Sequence, residues 1–372
     1  MMHLAAAAFL ALAQTNDKVQ ANSHDDAWEG AWKAHCQAVL AGATTAKTDG
    51  FVLQIGDSIT YSMAYGSWIR SGTGGTVEDL AAITWFKGGT FPGGVDVTVK
   101  SGIYLAERDI VAGSRGMTAA GGIATDEYVS GAGNGGTTMP STTTTATAQG
   151  YVTSGSYTGN LQITSVASAF PDAQFAVVML GTNDFTAGRT AAAFIADLQT
   201  IVTTLENQHI AVILSTIPPR WNPASPSTVY DVTPYNTAIR NLAQSVGLPL
   251  IDYYAEILAR RPGTSWQGTL LNSSDGIHPT AVNPSADPYN PGGNSTAHQT
   301  GTNCLNEGYL LRSWLTAQKL KEVQFYVILN NPVPAPAPPA SGGGGGGGGC
   351  GLTGLEAFAL LALLRAARKS GF

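Results

Sequence analysis

Apolar residues cluster in five runs of strand length. They are FVLQI at 51–55, RDIVAG at 108–113, QFAVVML at 174–180, HIAVILST at 209–216 and LPLIDY at 248–253. Runs this continuous fit strands buried on both faces of a parallel sheet, because a half-exposed strand alternates polar and apolar positions. Helical periodicity fills the later gaps, at 191–207 (AAAFIADLQTIVTTLEN) and 233–247 (TPYNTAIRNLAQSVG). A helix is also expected at 25–41, opening on two Asp residues, and a last one at 306–324. Strands alternating with helices predict a doubly wound α/β domain. Three stretches interrupt it: 71–107, the Gly/Thr/Ser-rich 130–165 and the polar, Pro/Gly-rich 281–303.

The two ends read differently. MMHLAAAAFLALAQ is a short apolar run with Ala11-Leu12-Ala13 as an A-x-A cleavage pattern. It resembles a secretory signal peptide over 1–13, although no Lys or Arg precedes the apolar run. A helical segment is expected over 14–47 and the main domain over 48–328. Residues 329–349 form a linker, Pro-rich and then a run of eight Gly. Residues 350–372 carry Cys350, about 14 apolar residues and a basic end. An apolar stretch that short falls below the roughly 20 residues of a membrane span. The tail resembles bacterial C-terminal sorting signals, which implies membrane holding and a sorting protease as partners; a packing helix is the other reading. An exported, surface-held protein is therefore expected.

Composition narrows the partners. Only 12% of residues are charged, net charge is −6 and no basic stripe is present, so nucleic acid is not expected to bind. Of the three cysteines, Cys36 and Cys304 could bridge in an oxidising compartment, leaving Cys350, or stay as thiols; the sequence leaves the pairing open. Their spacing suits no metal site.

Three short motifs bear on chemistry. Gly56-Asp57-Ser58-Ile59-Thr60 follows the first strand. Alone, it reads as a turn as readily as a nucleophile, and Thr60 stands where a nucleophile elbow needs Gly. Gly181-Thr182-Asn183-Asp184 follows the third strand, as an oxyanion donor or a helix cap. Asp275-Gly276-Ile277-His278 lies before the last helix, and its spacing lets the carboxylate meet the imidazole Nδ1. Of the other histidines, His35 and His209 lie on expected helix and strand, and none has a local acidic partner. Asp252 shapes a strand end.

Together and in this order, GDSIT, GTND and DGIH resemble the SGNH (GDSL-type) hydrolase family over roughly 50–325. The resemblance implies a three-layer, flavodoxin-like α/β/α sandwich with a five-stranded parallel sheet in the order 2-1-3-4-5 and long loop insertions. It implies a serine esterase: Ser58 as nucleophile, His278 as base, Asp275 orienting it, and an oxyanion hole from the Ser58 N–H, a Gly N–H and the Asn183 amide. The Gly block is stretched here (SRGMTAAGGIATDEY), with Gly122 first choice, then Gly121, then Gly116. No metal or organic cofactor is expected. The expected substrate is a small-molecule or polysaccharide ester, with acyl transfer to a sugar and non-catalytic glycan binding as the alternatives. Trp68, Trp85, Trp221 and Trp266 fall in expected loops, where they either stack on sugar rings or cover core edges.

Overall fold

The computed structural model describes residues 25–62, 64–87, 104–105, 118–119, 121–131, 143–144, 157–158, 162–289 and 303–333. Contacts divide the chain into Met1–Pro334 and Ala335–Phe372, and every described residue lies in the first unit. The signal segment, the Gly-rich linker, Cys350 and the C-terminal tail lie outside the described residues. So do most of the Thr-rich insertion, residues 290–302 and the strand expected at 108–113.

The sheet has five parallel strands: β1 (Val52–Gly56), β2 (Tyr104–Leu105), β3 (Phe175–Met179), β4 (Ala211–Ser215) and β5 (Leu250–Ile251). Their order is β2-β1-β3-β4-β5, the order the resemblance implies. The strand that pairs with β1 on its outer side is Tyr104–Leu105, upstream of the apolar run at 108–113. Every residue of β1, β3, β4 and β5 is buried, which is why their sequences run apolar without alternation.

Helices cover both faces. Labelled in chain order, those that matter to the site are α1 (Glu29–Ala41), α2 (Ser58–Tyr61), α3 (Val77–Lys87), α4 (Thr125–Ser130), α5 (Thr182–Thr186), α6 (Ala191–Asn207), α7 (Thr233–Val246) and α8 (Gly308–Val323). One group forms around α6, against which α4, α7 and the helix Ile163–Ala169 pack. Another forms around α8, which packs on α3 and on the helix Ser67–Ser71. With the sheet between them, the unit is a three-layer α/β/α sandwich.

α8 is buried along its whole length, polar residues included. Its charges are paired accordingly. Lys319 Nζ donates to both Asp25 oxygens at 2.9 and 2.8 Å and to Glu322 at 2.7 Å, and Lys321 meets Asp79 at 3.0 Å. Removing one partner from such a buried pair costs about 3–5 kcal/mol, since the other charge is left in the core. Asp25 also accepts from Leu250 N, so the start of the N-terminal helical segment is fastened to β5 as well as to α8.

Two questions left open by the sequence are answered. Cys36 and Cys304 are free thiols, each fully buried on a different helix, and they act as small apolar core residues instead of a bridge. Trp68, Trp221 and Trp266 are buried in the core. Trp85 is half-buried on α3, donating to Asp49 at 2.8 Å and meeting the Phe175 ring edge-on. Of the two readings for these rings, packing holds.

Candidate active site

β1 and β3 are neighbours, and the chain leaves them in opposite directions across the sheet: β2 lies beyond β1, β4 beyond β3. Such a switch point opens a crevice at the carboxyl ends of the strands. Gly56 is in register with Met179, so the segments after β1 and β3 leave the sheet side by side. The first carries Ser58 and the second Asn183.

Asp57 caps α2, its Oδ1 accepting from Ile59 N at 2.9 Å. Ser58 opens that single helical turn. Gly56 is required beneath it: a Cβ there would lie 2.1 Å from Thr60 Oγ1 and 2.7 Å from the Met179 carbonyl. Tyr128 of α4 closes the other side, its hydroxyl bonded to the Gly56 carbonyl at 2.9 Å and the Thr118 carbonyl at 2.8 Å.

Ser58 Oγ lies 2.8 Å from His278 Nε2. His278 Nδ1 lies 2.8 Å from Asp275 Oδ2, while Asp275 Oδ1 accepts from Ile277 N at 2.8 Å and His278 N at 3.0 Å. The carboxylate thus holds both the imidazole and its own loop. Burial works to raise the Asp275 carboxyl, but the two N–H groups and the imidazole outweigh it and hold it below the usual range. The loop turns at Gly276, with φ +68°, where a Cβ would meet the Trp221 carbonyl at 2.2 Å. Trp221 N in turn donates to the Gly276 carbonyl at 3.1 Å. A hairpin, Arg220–Asn222 with Ser225–Tyr230, is thereby docked on the acid–base loop. His278 and Asp275 keep 36% and 37% side-chain exposure, enough for a substrate to reach them.

The third motif forms α5. Asn183 Nδ2 donates to the Ile123 carbonyl at 2.9 Å. The adjacent Asp184 is fully buried and accepts from Thr125 N (3.3 and 3.1 Å) and Thr125 Oγ1 (2.5 Å). Burial raises the Asp184 carboxyl, opposed by Thr125 and by Arg189, which pairs with Asp184, Asp197 and Asp126. Asn183 and Asp184 therefore clamp the segment 123–125 to α5. Gly121 and Gly122 immediately precede it; both are exposed, and Gly122 has φ +77°. Gly116 lies outside the described residues.

Asp184, Thr125 and Tyr128 were not expected at the site. GTND reads as an oxyanion donor or a helix cap, and nothing in GGIATDEY announces a partner some 60 residues downstream. Asp252 does what was expected of it, capping the helix Tyr253–Arg260 and pairing with Arg240 at 2.6 Å. His35 pairs with Glu206 at 2.7 Å across α1 and α6. Among the described residues no group of three or more His, Cys, Asp or Glu side chains is arranged to hold a metal ion.

Residues 120–282 match the family model of the GDSL-like lipase/acylhydrolase family. That stretch, a little under half of the chain, is what this protein shares with the family. The chain is an ester-hydrolysing enzyme. The match takes in Asn183, Asp275 and His278 and begins after Ser58. No curated protein sequence matches significantly. Three solved structures are similar at low identity. A GDSL-like lipase from Bacteroides thetaiotaomicron is 14% identical, over 68% of this chain and 90% of its own, with TM-score 0.34. A Parabacteroides merdae chain is 14% identical over 75% and 99%, with TM-score 0.38. Protein YxiM of Bacillus subtilis is 15% identical over 77% of this chain and 57% of its own, with TM-score 0.35. TM-scores this low bear on neither the site nor the substrate.

Proposed function

We propose that this acylhydrolase cleaves carboxylic esters through an acyl-enzyme on Ser58. The observation that carries the reading is the unbroken relay from Ser58 Oγ to His278 Nε2 and from His278 Nδ1 to Asp275 Oδ2, at 2.8 Å each. His278 takes the Ser58 proton as Oγ attacks the ester carbonyl carbon. The carbonyl oxygen becomes an oxyanion, held by the Ser58 N–H, the Gly122 N–H and the Asn183 amide. The C–O bond to the alcohol then breaks, and His278 returns the proton to the leaving alkoxide. Water, deprotonated by His278, attacks the acyl carbon, and the acid leaves as Ser58 regains its proton. Asp275, held ionised, fixes the imidazole tautomer and stabilises the imidazolium.

The Asn183 amide has two N–H groups, and the Ile123 carbonyl uses one. The other is free to serve the oxyanion. Gly122 is retained as its glycine partner because it lies one residue before Ile123 on the clamped segment, with nothing within 4 Å of a Cβ position to cover it.

The alcohol is proposed to be a carbohydrate hydroxyl. That choice rests on the reading of both chain ends as export and surface-holding segments, since Trp68, Trp221 and Trp266 are in the core and Trp85 packs half-buried against it. A panel of p-nitrophenyl acyl esters and acetylated xylan, with Ser58→Ala as control, tests the reading. Ester hydrolysis lost in the variant supports it, and equal rates in both proteins refute it. Acetate released from xylan supports the carbohydrate choice, and hydrolysis confined to the small esters removes it. Adding a sugar acceptor separates hydrolysis from acyl transfer.

A further inference from the structure

α8 contacts the segments that follow both members of the proposed Ser–His pair. At its first turn, Gly308 N donates to Thr280 Oγ1 at 2.8 Å and Tyr309 N to the Thr280 carbonyl at 3.2 Å, two residues past His278. One turn on, Arg312 reaches the segment just past Ser58. Its Nη1 donates to the Ile59 carbonyl at 2.8 Å and its Nη2 to Thr60 Oγ1 at 2.9 Å. The guanidinium lies 3.7 Å from the centroid of the Tyr65 ring, and the Tyr65 hydroxyl donates to Gln54 of β1 at 2.7 Å. Arg312 is 2% exposed, and among the described residues no carboxylate stands within ion-pair distance of it.

A buried cation without an ion-pair partner is costly unless its donors are used well. These are used on a one-turn helix, whose last carbonyls have no partner within the helix and whose Ile59 and Thr60 are fully buried. A cation also suits that helix end electrostatically. The fork of parallel N–H groups matches two acceptors one residue apart, which an ammonium cannot reproduce. The same helix thus holds the histidine loop at its first turn and the nucleophile turn one turn later. Its rise between those two contacts sets the spacing of Ser58 and His278.

We propose that Arg312 is a positioning residue for ester hydrolysis: it locks the Ser58 turn in register with the His278 loop through α8. The assignment rests on the reading of Ser58 as the nucleophile. Asp57 agrees with it. Its Oδ2 is buried without a partner, and burial pushes its carboxyl up to about 6 even though the Ile59 N–H and the Arg312 and His278 charges pull the other way.

The test uses the full chain with Arg312→Lys, Arg312→Met and the milder Thr60→Val, which keeps the arginine and removes one acceptor. Each is measured for kcat, KM, melting temperature and rate of inactivation by a fluorophosphonate. Misplacing a reacting group by about 1 Å costs on the order of 10²-fold in rate. The expected result is a fall in kcat and in inactivation rate approaching that size for both Arg312 variants and a smaller fall for Thr60→Val. KM should stay near wild type, and lysine should not rescue. A merely structural arginine would lower the melting temperature and leave kcat of the folded protein unchanged, which overturns the proposal. Should the arginine variants not fold, an unchanged kcat in Thr60→Val overturns it and a reduced kcat at wild-type KM supports it. A wild-type protein inert to both ester and fluorophosphonate overturns the nucleophile reading itself, and this assignment with it; the wild-type control tells that outcome apart.

Discussion

Ser58 and His278 are 220 residues apart in sequence and 2.8 Å apart in space. Neither is placed by its neighbours alone. Ser58 depends on the end of β1 and a glycine that lets Thr60 fold beneath it, and His278 depends on the Asp275–Gly276 turn and the hairpin docked on it. If the relay works as proposed, Asp275→Asn leaves the fold and drops kcat by roughly 10³–10⁴, because the amide supports the wrong imidazole tautomer. Steady-state kinetics with a p-nitrophenyl ester checks it; a loss under tenfold would remove Asp275 from the relay.

Asn183 and Asp184 are adjacent and should fail differently. Asn183→Ala removes the proposed oxyanion donor and one half-buried hydrogen bond, so kcat should fall about 10²–10³-fold with little change in melting temperature. Asp184→Ala leaves the buried Thr125 donors without their acceptor while Arg189 keeps Asp197 and Asp126, so the main effect should be destabilisation of about 1–3 kcal/mol. Kinetics and urea melts on the two variants separate these outcomes. A stable Asp184→Ala protein with full activity would contradict the clamp.

Gly276 is held to glycine twice over, by φ +68° and by the Trp221 carbonyl 2.2 Å from its would-be Cβ. Gly276→Ala should therefore push the hairpin off the acid–base loop and lower kcat. At Gly122 nothing lies within 4 Å, so Gly122→Ala carries only the backbone penalty of about 1–2 kcal/mol. Comparing melting temperatures and rates of the two variants checks the order: Gly276→Ala should be the more damaged in both.

Stability should fall as pH rises through the weakly acidic range. Burial pushes the Glu307 carboxyl from 4.5 up to about 7, against the N–H groups of Asn283, Val282 and Tyr309. Between those values the folded protein holds a proton that the unfolded chain has released, so raising the pH favours unfolding. Burial also raises the Glu322 carboxyl, against the pull of Lys319, and pushes Asp57 up to about 6; both act in the same sense. The melting temperature is expected to be lower at about pH 8 than at about pH 5, with a smaller difference in Glu307→Gln. Equal slopes in the two proteins would take Glu307 out of the effect.

The sheet was legible because its strands are buried on both faces and therefore read as continuous apolar runs. The helix at 191–207 was legible from its period and came out as Ala191–Asn207. The described part of the second strand, residues 104–105, lies upstream of the run expected at 108–113, which falls outside the described residues. Ser58, Asn183, Asp275 and His278 could be named because each sits in a short motif at a predictable place. Arg312, Asp184 and Tyr128 could not. Their roles come from contacts spanning about 60 to 250 residues, and nothing local marks a buried arginine in a helix that otherwise reads as an ordinary amphipathic one. The tryptophans misled for a related reason: Trp68 and Trp85 looked like loop residues because the helices that carry them lie in an interrupted part of the pattern.

The most direct measurement is to locate a fluorophosphonate adduct by peptide mass spectrometry in wild type, Ser58→Ala and His278→Ala. The account predicts one adduct on the peptide containing Ser58, none in Ser58→Ala, and labelling slowed by orders of magnitude in His278→Ala. An adduct on another serine, or undiminished labelling of Ser58→Ala, would contradict it.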